Sequence, residues 1–550
     1  MRTMISLWKS YSLLSSFLVS FILVVVTIPF ATFIFFASKG SEDTWPHLLK
    51  YVIPQATIQT MLLLIFVAIG TGFIGTGTAW LVTLCQFPGR KYFQWILILP
   101  IAVPSYIAAY SMVEILDYSG PVQSFIRTIG GYSRSQDYWF PDIRSLFGAG
   151  LMLSFILYPY VYMACRIVFS MQGSSALDAC RSLGAGSIRA FFQIGLPMAR
   201  PAIASGVTLA MMETLNDIGA VELLGVKTLT YAVFETWFNR DSLSGAMQLT
   251  ILILIIIAVL ISVERTARSK RSYTPNQNER HPGQIQMSPL KQMISVVACL
   301  FPIFIGLGIP IYVLIQYAGH RLDGFWEIEL YSAAWNSFWI ASLTAFLTTL
   351  MAYIFLLSYR LTSKPGIFFA RKIAELGYTF PGTILAIGLL VPFAAFDNYL
   401  DHIMQIRFGI SSGLIISGSG ILIIYACSLR FFAIACGTLE SGFSRISLNI
   451  DMTARTLGST PIQLGFQIHT PIMARALGVA SFLVFVDTMK DLSSTLLLRP
   501  FNFQTLSTLV YERSSQGVPE EAAIAALMIV FIGLIPVILL SDIDSIKRSV

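Results

Sequence analysis

Twelve apolar runs, each long enough to cross a lipid bilayer as a helix, dominate this sequence. They lie near residues 14–37, 57–83, 92–114, 147–169, 201–223, 246–263, 292–316, 332–358, 374–396, 412–435, 474–497 and 522–541. About 20 apolar residues span a bilayer, and runs without polar alternation favour helices over strands. Only 12% of the 550 residues are charged, whereas soluble domains contain roughly a quarter. We therefore predict an all-α membrane protein of about twelve transmembrane helices.

The distribution of lysine and arginine predicts the orientation of these helices. If the N-terminus lies inside, about 24 basic residues fall in inside segments and about 11 outside, as the positive-inside rule requires. Lys490 lies within a run. Both termini are therefore expected on the cytoplasmic side of the membrane. Topology also accounts for the net charge of +7, so no nucleic-acid partner is expected.

A polar stretch rich in turn-forming residues, 264–291, divides the chain into two parts. Its composition indicates a cytoplasmic linker. We expect residues 1–263 and 292–550 to form two transmembrane halves of six helices each.

The two halves contain an internal repeat. The segment DACRSLGAGSIRAFFQIGLP (178–197) matches MTARTLGSTPIQLGFQIHTP (452–471) at an offset of 274 residues. ETLNDIGA (213–220) matches DTMKDLSS (487–494) at the same offset, and TLTYAVFE (228–235) matches TLSTLVYE (505–512) at an offset of 277. Three ordered matches indicate homologous halves in parallel orientation, with a pathway between them.

The first of these matches, which we call the first cassette (178–197) and the second cassette (452–471), resembles a known motif. Its spacing is similar to the EAA loop of ABC importer permeases, E-A-A-x3-G-x9-I-x-L-P. The matching positions are Asp178, Ala179, Gly184, Ile194 and Pro197 in the first cassette, and Ala454, Gly458, Ile468 and Pro471 in the second. The second cassette has Met452 at the acidic position, although Asp451 precedes it, and Thr470 where leucine is usual.

The resemblance implies a role for both cassettes. Two short helices joined at a flexible glycine would form an L-shaped foot that docks into a cytoplasmic ABC ATPase, one copy for each foot. ATP and magnesium would bind that partner, because this chain contains no phosphate-loop motif and no cofactor is expected in it. The resemblance also implies that the chain lies in the inner membrane of a bacterial cell, where a periplasmic binding protein would deliver the substrate. The chain itself is expected not to be an enzyme. The alternative is an amphipathic interfacial helix without a partner.

Polar residues also occur deep within two apolar runs. They are Glu213, Asn216 and Asp217 in the fifth run, and Asp487, Lys490 and Asp491 in the eleventh. Residues four apart share a helix face, and intramembrane charges commonly line a cavity or a bundle interior. Two interpretations stay open: a polar lining of the pathway, or a structural network in which Lys490 neutralises a carboxylate.

The segments ETLNDIGAVELLGVKTLT and LLLRPFNFQTLSTLVYE resemble fused ferric-iron permeases. Ferric iron is thus the expected substrate, with thiamine, sulfate or a polyamine as alternatives within the same class. An ion-coupled secondary transporter is an alternative from another class. No metal site is expected in this chain, because in this family the binding protein holds the iron. The six cysteines show no metal-site spacing.

Overall fold

The computed structural model describes residues 2–39, 44–171, 187–269, 285–362, 364–444 and 446–546. The helices up to residue 269 are α1 (Arg2–Ser38), α2 (Ile53–Leu84), α3 (Arg90–Ile96), α4 (Ser105–Leu116), α5 (Pro121–Gly130), α6 (Leu146–Met171), α7 (Leu196–Asn216), α8 (Gly219–Leu223), α9 (Leu229–Phe238) and α10 (Leu243–Ser269). Those that follow are α11 (Pro289–Ile303), α12 (Ile309–His320), α13 (Ile328–Thr362), α14 (Pro365–Glu375), α15 (Gly382–Phe408), α16 (Ile421–Phe443), α17 (Leu448–Thr456), α18 (Thr470–Lys490), α19 (Ser493–Leu498), α20 (Leu506–Ser515) and α21 (Pro519–Ile546).

Short segments connect or extend these helices. One-turn helices span Trp45–His47, Ser187–Ala190 and Pro461–Gln463, and π-helical turns span Leu48–Val52, Phe191–Gly195, Phe304–Gly308 and Leu464–His469. The 3₁₀ turns span Leu99–Ala102, Ser135–Asp137, Leu322–Trp326 and Leu376–Thr379. In the described ranges the strands are β1 (Cys85–Gln86) and β2 (Ile285–Gln286), which pair in parallel.

The predicted all-α membrane fold is confirmed. Within the described residues, ten helical segments are long and apolar enough to cross a membrane, and a bent pair raises this number to eleven. The bent pair, Arg90–Ala102 and Ser105–Gly130, turns by 94°. The bend falls within the predicted apolar run 92–114. Pro100 and Pro104 explain the bend, because proline lacks the N–H that a continuous helix requires. The twelfth predicted span falls in α21.

The helices group into two compact units. One unit combines the N-terminal segment, including α1, with residues 326–509. Within it, α1 packs against α13, α14 and α15, and α13 packs against α16 and α18. The other unit combines residues 41–325 with 510–550. Each unit thus contains helices from both sequence halves. The division into halves 1–263 and 292–550 remains a prediction based on the sequence repeat. Most of the predicted linker lies outside the described residues.

Both units contain the same local structure at positions related by the sequence repeat. In one unit the Thr60 hydroxyl accepts a hydrogen bond from the N–H of Leu229 at 2.9 Å. In the other, the Ser337 hydroxyl accepts one from the N–H of Leu506 at 2.7 Å. Both acceptors lie 277 residues apart, as do both donors. A long helix therefore holds the N-terminus of a short helix through one hydroxyl in each unit.

Candidate functional site

The second cassette folds as two helical segments joined by a glycine turn. α17 begins after Ser447, whose hydroxyl caps it, and ends in a turn at Gly458 with φ +92°. The Gly458 N–H donates to the carbonyl of Arg455 at 3.1 Å, and the Ser459 N–H donates to that of Ala454 at 3.0 Å. This pair of bonds is a Schellman motif, which places its glycine in the left-handed region. The φ of Gly458 explains why the turn needs a glycine.

The second segment of the cassette continues directly into a membrane-spanning helix. Thr460 and Gln463 form a capping box at its start, with bonds of 3.2 and 3.0 Å between each side chain and the other's N–H. The chain then passes through the π-helical turn Leu464–His469 into α18. The half-buried Ile468 and the exposed Pro471 lie at this junction. A displacement of the cassette is therefore transmitted to α18 without an intervening loop.

A buried carboxylate fastens α17 to the end of α13. The Nε of Arg360 donates to Oδ2 of Asp451 at 2.7 Å, and Nε2 of His469 lies 3.0 Å from Oδ1. The guanidinium of Arg360 also donates to the carbonyls of Phe443 and Ile446, each at 2.9 Å. Asp451 is only 4% exposed. Its carboxylate is thus used inside the chain and does not replace the acidic position of the motif.

The outward face of the second cassette is apolar. Leu448 and Met452, one helical turn apart on α17, are each 62% exposed, and Leu457 is 80% exposed. Ile462 and Phe466 on the second segment are also exposed. Ala454 points inward. Exposed apolar residues clustered on one element are typical of a protein-interaction surface.

Part of the first cassette is described. Asp178, Ala179 and Gly184 lie outside the described residues. From Ser187 onward the chain follows the second cassette: a one-turn helix and the π-helical turn Phe191–Gly195 lead into α7. Ile194 and Pro197 are half-buried. Phe192 is exposed, as is Phe466 at the equivalent position 274 residues later.

The structure separates the deep polar residues of the eleventh apolar run into two pairs. Asp491 is buried and forms an ion pair with Arg430, whose guanidinium also donates to the Ser493 hydroxyl at 2.8 Å. Lys490 pairs with Asp487 at 2.7 Å, and both side chains are about a quarter exposed, at 25% and 22%. Lys490 thus neutralises Asp487, as the structural interpretation expected, while Asp491 has its own buried partner.

The expectation that residues four apart share one helix face was wrong for both runs. α7 ends at Asn216 and α18 ends at Lys490, so Asp217 and Asp491 lie just beyond their helices. Asp217 accepts the N–H of Ala220 at 2.9 Å, and Asp491 accepts that of Ser494 at 3.1 Å. The physical reason is that a carboxylate accepting from the backbone three residues on stabilises a helix start.

The polar residues at the end of α7 differ in burial. Glu213 is half-buried on the helix, Asn216 is buried and Asp217 is half-buried at the break. Asp217 contacts the start of α8 by accepting the hydrogen bond from the Ala220 N–H. Whether Glu213 lines a pathway stays a prediction.

Arg430 falls within the predicted apolar run 412–435, but it was not named as a site residue from the sequence. It lies in the middle of α16 and is 6% exposed. A signal was available, since a lone charge within an apolar run needs an opposite charge from another run. The acidic residues of the eleventh run met that requirement.

The described residues contain no group of three or more His, Cys, Asp or Glu side chains placed to hold a metal ion. Cys85, Cys165, Cys299, Cys427 and Cys436 are buried and not paired in disulfides. The sixth, Cys180, lies outside the described residues.

Part of the chain matches the model of a known protein family. Residues 73–269 match the family described as binding-protein-dependent transport system inner membrane component. The chain is 26% identical over 488 residues to the Fe(3+)-transport system permease protein FbpB 2 of Haemophilus influenzae, a match that covers 88% of each chain. It is 23% identical over 451 residues to the ferric transport system permease protein FbpB of Actinobacillus pleuropneumoniae, covering 76% of this chain and 61% of that one.

Sulfate permeases are related as well. The sulfate transport system permease protein CysT of Salmonella typhimurium is 24% identical over 205 residues, which cover 36% of this chain and 70% of that protein. The relatives are permease subunits, and many apolar helices accompany the family match. The chain therefore resembles the binding-protein-dependent inner-membrane permeases of ABC importers, whose members are multi-pass transport subunits.

Proposed function

We propose that this permease moves ferric iron inward across the membrane. The observation that carries the proposal is the extent of similarity: the match to a ferric permease covers 88% of this chain and 88% of that protein. The match to the sulfate permease CysT of Synechocystis covers 40% of this chain, which is less than the length of one sequence half. Similarity across both halves supports the ferric substrate over sulfate.

Other substrates define the alternatives. Thiamine and polyamines would also suit a pathway with acidic residues, because both are cations. An ion-coupled secondary transporter would depend on the membrane potential instead of ATP. The apolar outward face of the second cassette favours the ATP-driven class, because a secondary transporter has no need of a surface for a second subunit.

The partners follow from the family. A binding protein would deliver the ion from the periplasm, and an ATPase would bind ATP and magnesium on the other side. We propose two ATPase copies, one for each cassette. The copy at the second cassette would bind the exposed apolar surface formed by Leu448, Met452 and Leu457. In the cycle, ATP-driven closure of the ATPase pair moves both cassettes and, through the π-helical turns, α7 and α18. The halves then open the pathway outward, and hydrolysis resets them.

Orientation is part of the proposal. The basic residues of the cassettes and of the 264–291 stretch support an orientation with both termini in the cytoplasm. Tagging each terminus with a reporter that is active only in the cytoplasm tests this arrangement. Activity at both termini supports it, and activity at only one contradicts it.

The substrate is tested by uptake in intact cells. Iron-starved cells with and without this gene receive radiolabelled Fe(III), thiamine or sulfate, one at a time. We expect cells without the gene to lose uptake of Fe(III) and to keep normal uptake of thiamine and sulfate. Loss of thiamine or sulfate uptake with normal Fe(III) uptake would keep the permease class and overturn the ferric substrate.

A further inference from the structure

A cavity of about 760 Å³ lies within the unit formed by residues 41–325 and 510–550. Four carboxylates and two guanidinium groups line it: Glu114, Glu222, Glu520, Glu521, Arg144 and Arg321. Its formal charge is therefore negative. The loops that contribute Arg144, Arg321 and residues 514–518 are those that the basic-residue distribution assigns to the outside.

The basic groups of the cavity are already engaged. Arg321 and Arg513 both form ion pairs with Glu521, and Arg144 lies 3.5 Å from Asp117. Glu521 is thus neutralised by two guanidinium groups. The other three carboxylates carry the negative charge that a ligand would meet.

Two of these carboxylates accept hydrogen bonds from tyrosine hydroxyls. The Tyr317 hydroxyl donates to Glu114 at 2.5 Å, and the Tyr511 hydroxyl donates to Glu222. Phenol and carboxylate oxygens therefore stand side by side at two places around the cavity. All of these donors are hard oxygen atoms, without the nitrogen or sulfur that softer metals prefer.

A third tyrosine hydroxyl lies beside this carboxylate–phenol pair. Tyr110 is 8% exposed, and its hydroxyl interacts with both Tyr317 and Glu114. It lies one turn before Glu114 on α4, and its ring is 6.3 Å from that of Tyr317. Two phenol oxygens and one carboxylate, from two helices, therefore meet at one place on the wall of the cavity.

We propose that Tyr110, Glu114 and Tyr317 form a transit site for ferric iron, an inference that rests on the ferric substrate proposed above. On binding, each phenol hydroxyl forms an iron–oxygen bond and releases its proton to water. The iron remains trivalent, so no oxidant or reductant is needed. Three protein oxygens leave other coordination positions to water. Binding is therefore weak and reversible, as transit from the binding protein requires.

The site has a direct spectroscopic test. The purified permease in lipid nanodiscs is titrated with excess Fe(III) as its labile citrate complex, which gives up iron more readily than stronger chelates do. Phenolate coordination gives a visible phenolate-to-iron(III) charge-transfer band, which carboxylates alone do not give. We expect the band in the wild type, its loss in Tyr110→Phe/Tyr317→Phe, and its retention in Tyr312→Phe. Tyr312 is the matched control, because it lies on the same helix as Tyr317 but is 55% exposed and does not line the cavity.

Uptake separates this inference from the proposed function. Cells carrying Tyr110→Phe/Tyr317→Phe should take up labelled Fe(III) about tenfold more slowly than wild type, while Tyr312→Phe cells are unaffected. Normal uptake by the double variant, or no band in the wild type, would overturn the site and leave the ferric substrate standing. No Fe(III) uptake by the wild type would overturn the ferric substrate. Retained co-purification of the ATPase with the double variant shows that it has folded.

Discussion

Arg360 at the end of α13 and Asp451 on α17 form a buried ion pair, with Nε and Oδ2 2.7 Å apart. The same guanidinium holds the carbonyls of Phe443 and Ile446. One side chain thus ties the second cassette to the end of α16 and to a membrane-spanning helix. These contacts hold α17 against the rest of its unit.

Removing Arg360 should release the second cassette. In Arg360→Met, Asp451 is left buried without its main partner, which costs about 3–5 kcal/mol. We expect Fe(III) uptake to be lost, and limited proteolysis to cut near α17. Arg407→Met, on the exposed end of α15, is the matched control. Wild-type uptake and proteolysis in Arg360→Met would show that the pair does not hold the cassette.

The turn at Gly458 should tolerate no side chain. Because its φ is +92°, alanine there costs about 1–3 kcal/mol of backbone strain. We expect Gly458→Ala to lower uptake and Gly458→Val to abolish it, with normal insertion into the membrane. Gly478→Ala, on α18 with open space around its Cβ, should have little effect. Equal uptake by the Gly458 and Gly478 variants would refute the requirement for this turn.

The outward apolar face should decide ATPase binding. Leu457 is 80% exposed at the glycine turn, so Leu457→Asp should reduce the ATPase that co-purifies with the permease. Phe501→Asp is the control, because Phe501 is 99% exposed but lies in a loop assigned to the outside. If both variants retain the ATPase equally, the partner does not bind this face.

The pair Arg430–Asp491 should be structural. Either single variant, Arg430→Met or Asp491→Leu, leaves a buried charge uncompensated and should destabilise the protein by about 3–5 kcal/mol. The double variant should be more stable than both single variants. Thermal unfolding of the purified permease measures this. Additive losses in the double variant would indicate that the two charges do not interact.

The partly exposed pair Lys490–Asp487 should behave differently. Its side chains are 25% and 22% exposed, so Lys490→Gln should change the unfolding free energy by about 1 kcal/mol or less. A loss of uptake without a loss of stability would assign the pair to the pathway. A loss of stability comparable to that of Arg430→Met would contradict the assignment.

Much of the fold could be predicted because apolar length and basic-residue asymmetry are one-dimensional signals. The cassette turn was also predictable, since the glycine spacing repeats. The ends of α7 at Asn216 and of α18 at Lys490 could not be predicted. The apolar runs continue past Asp217 and Asp491, but these two carboxylates accept backbone hydrogen bonds from the helices that follow. Arg360, Asp451 and His469 meet from three separate segments, which spacing alone does not reveal. Nor could the sequence show that α1 packs against helices of the second half.

The most direct test of ATP-driven ferric import measures radiolabelled Fe(III) uptake in cells lacking this gene and complemented with wild type or Gly458→Val. ATP is depleted in one sample, and the membrane potential is collapsed with ATP maintained in another. We predict that wild-type uptake stops on ATP depletion, survives collapse of the potential, and is absent with Gly458→Val. Uptake that persists without ATP and stops with the potential would contradict an ATP-driven importer.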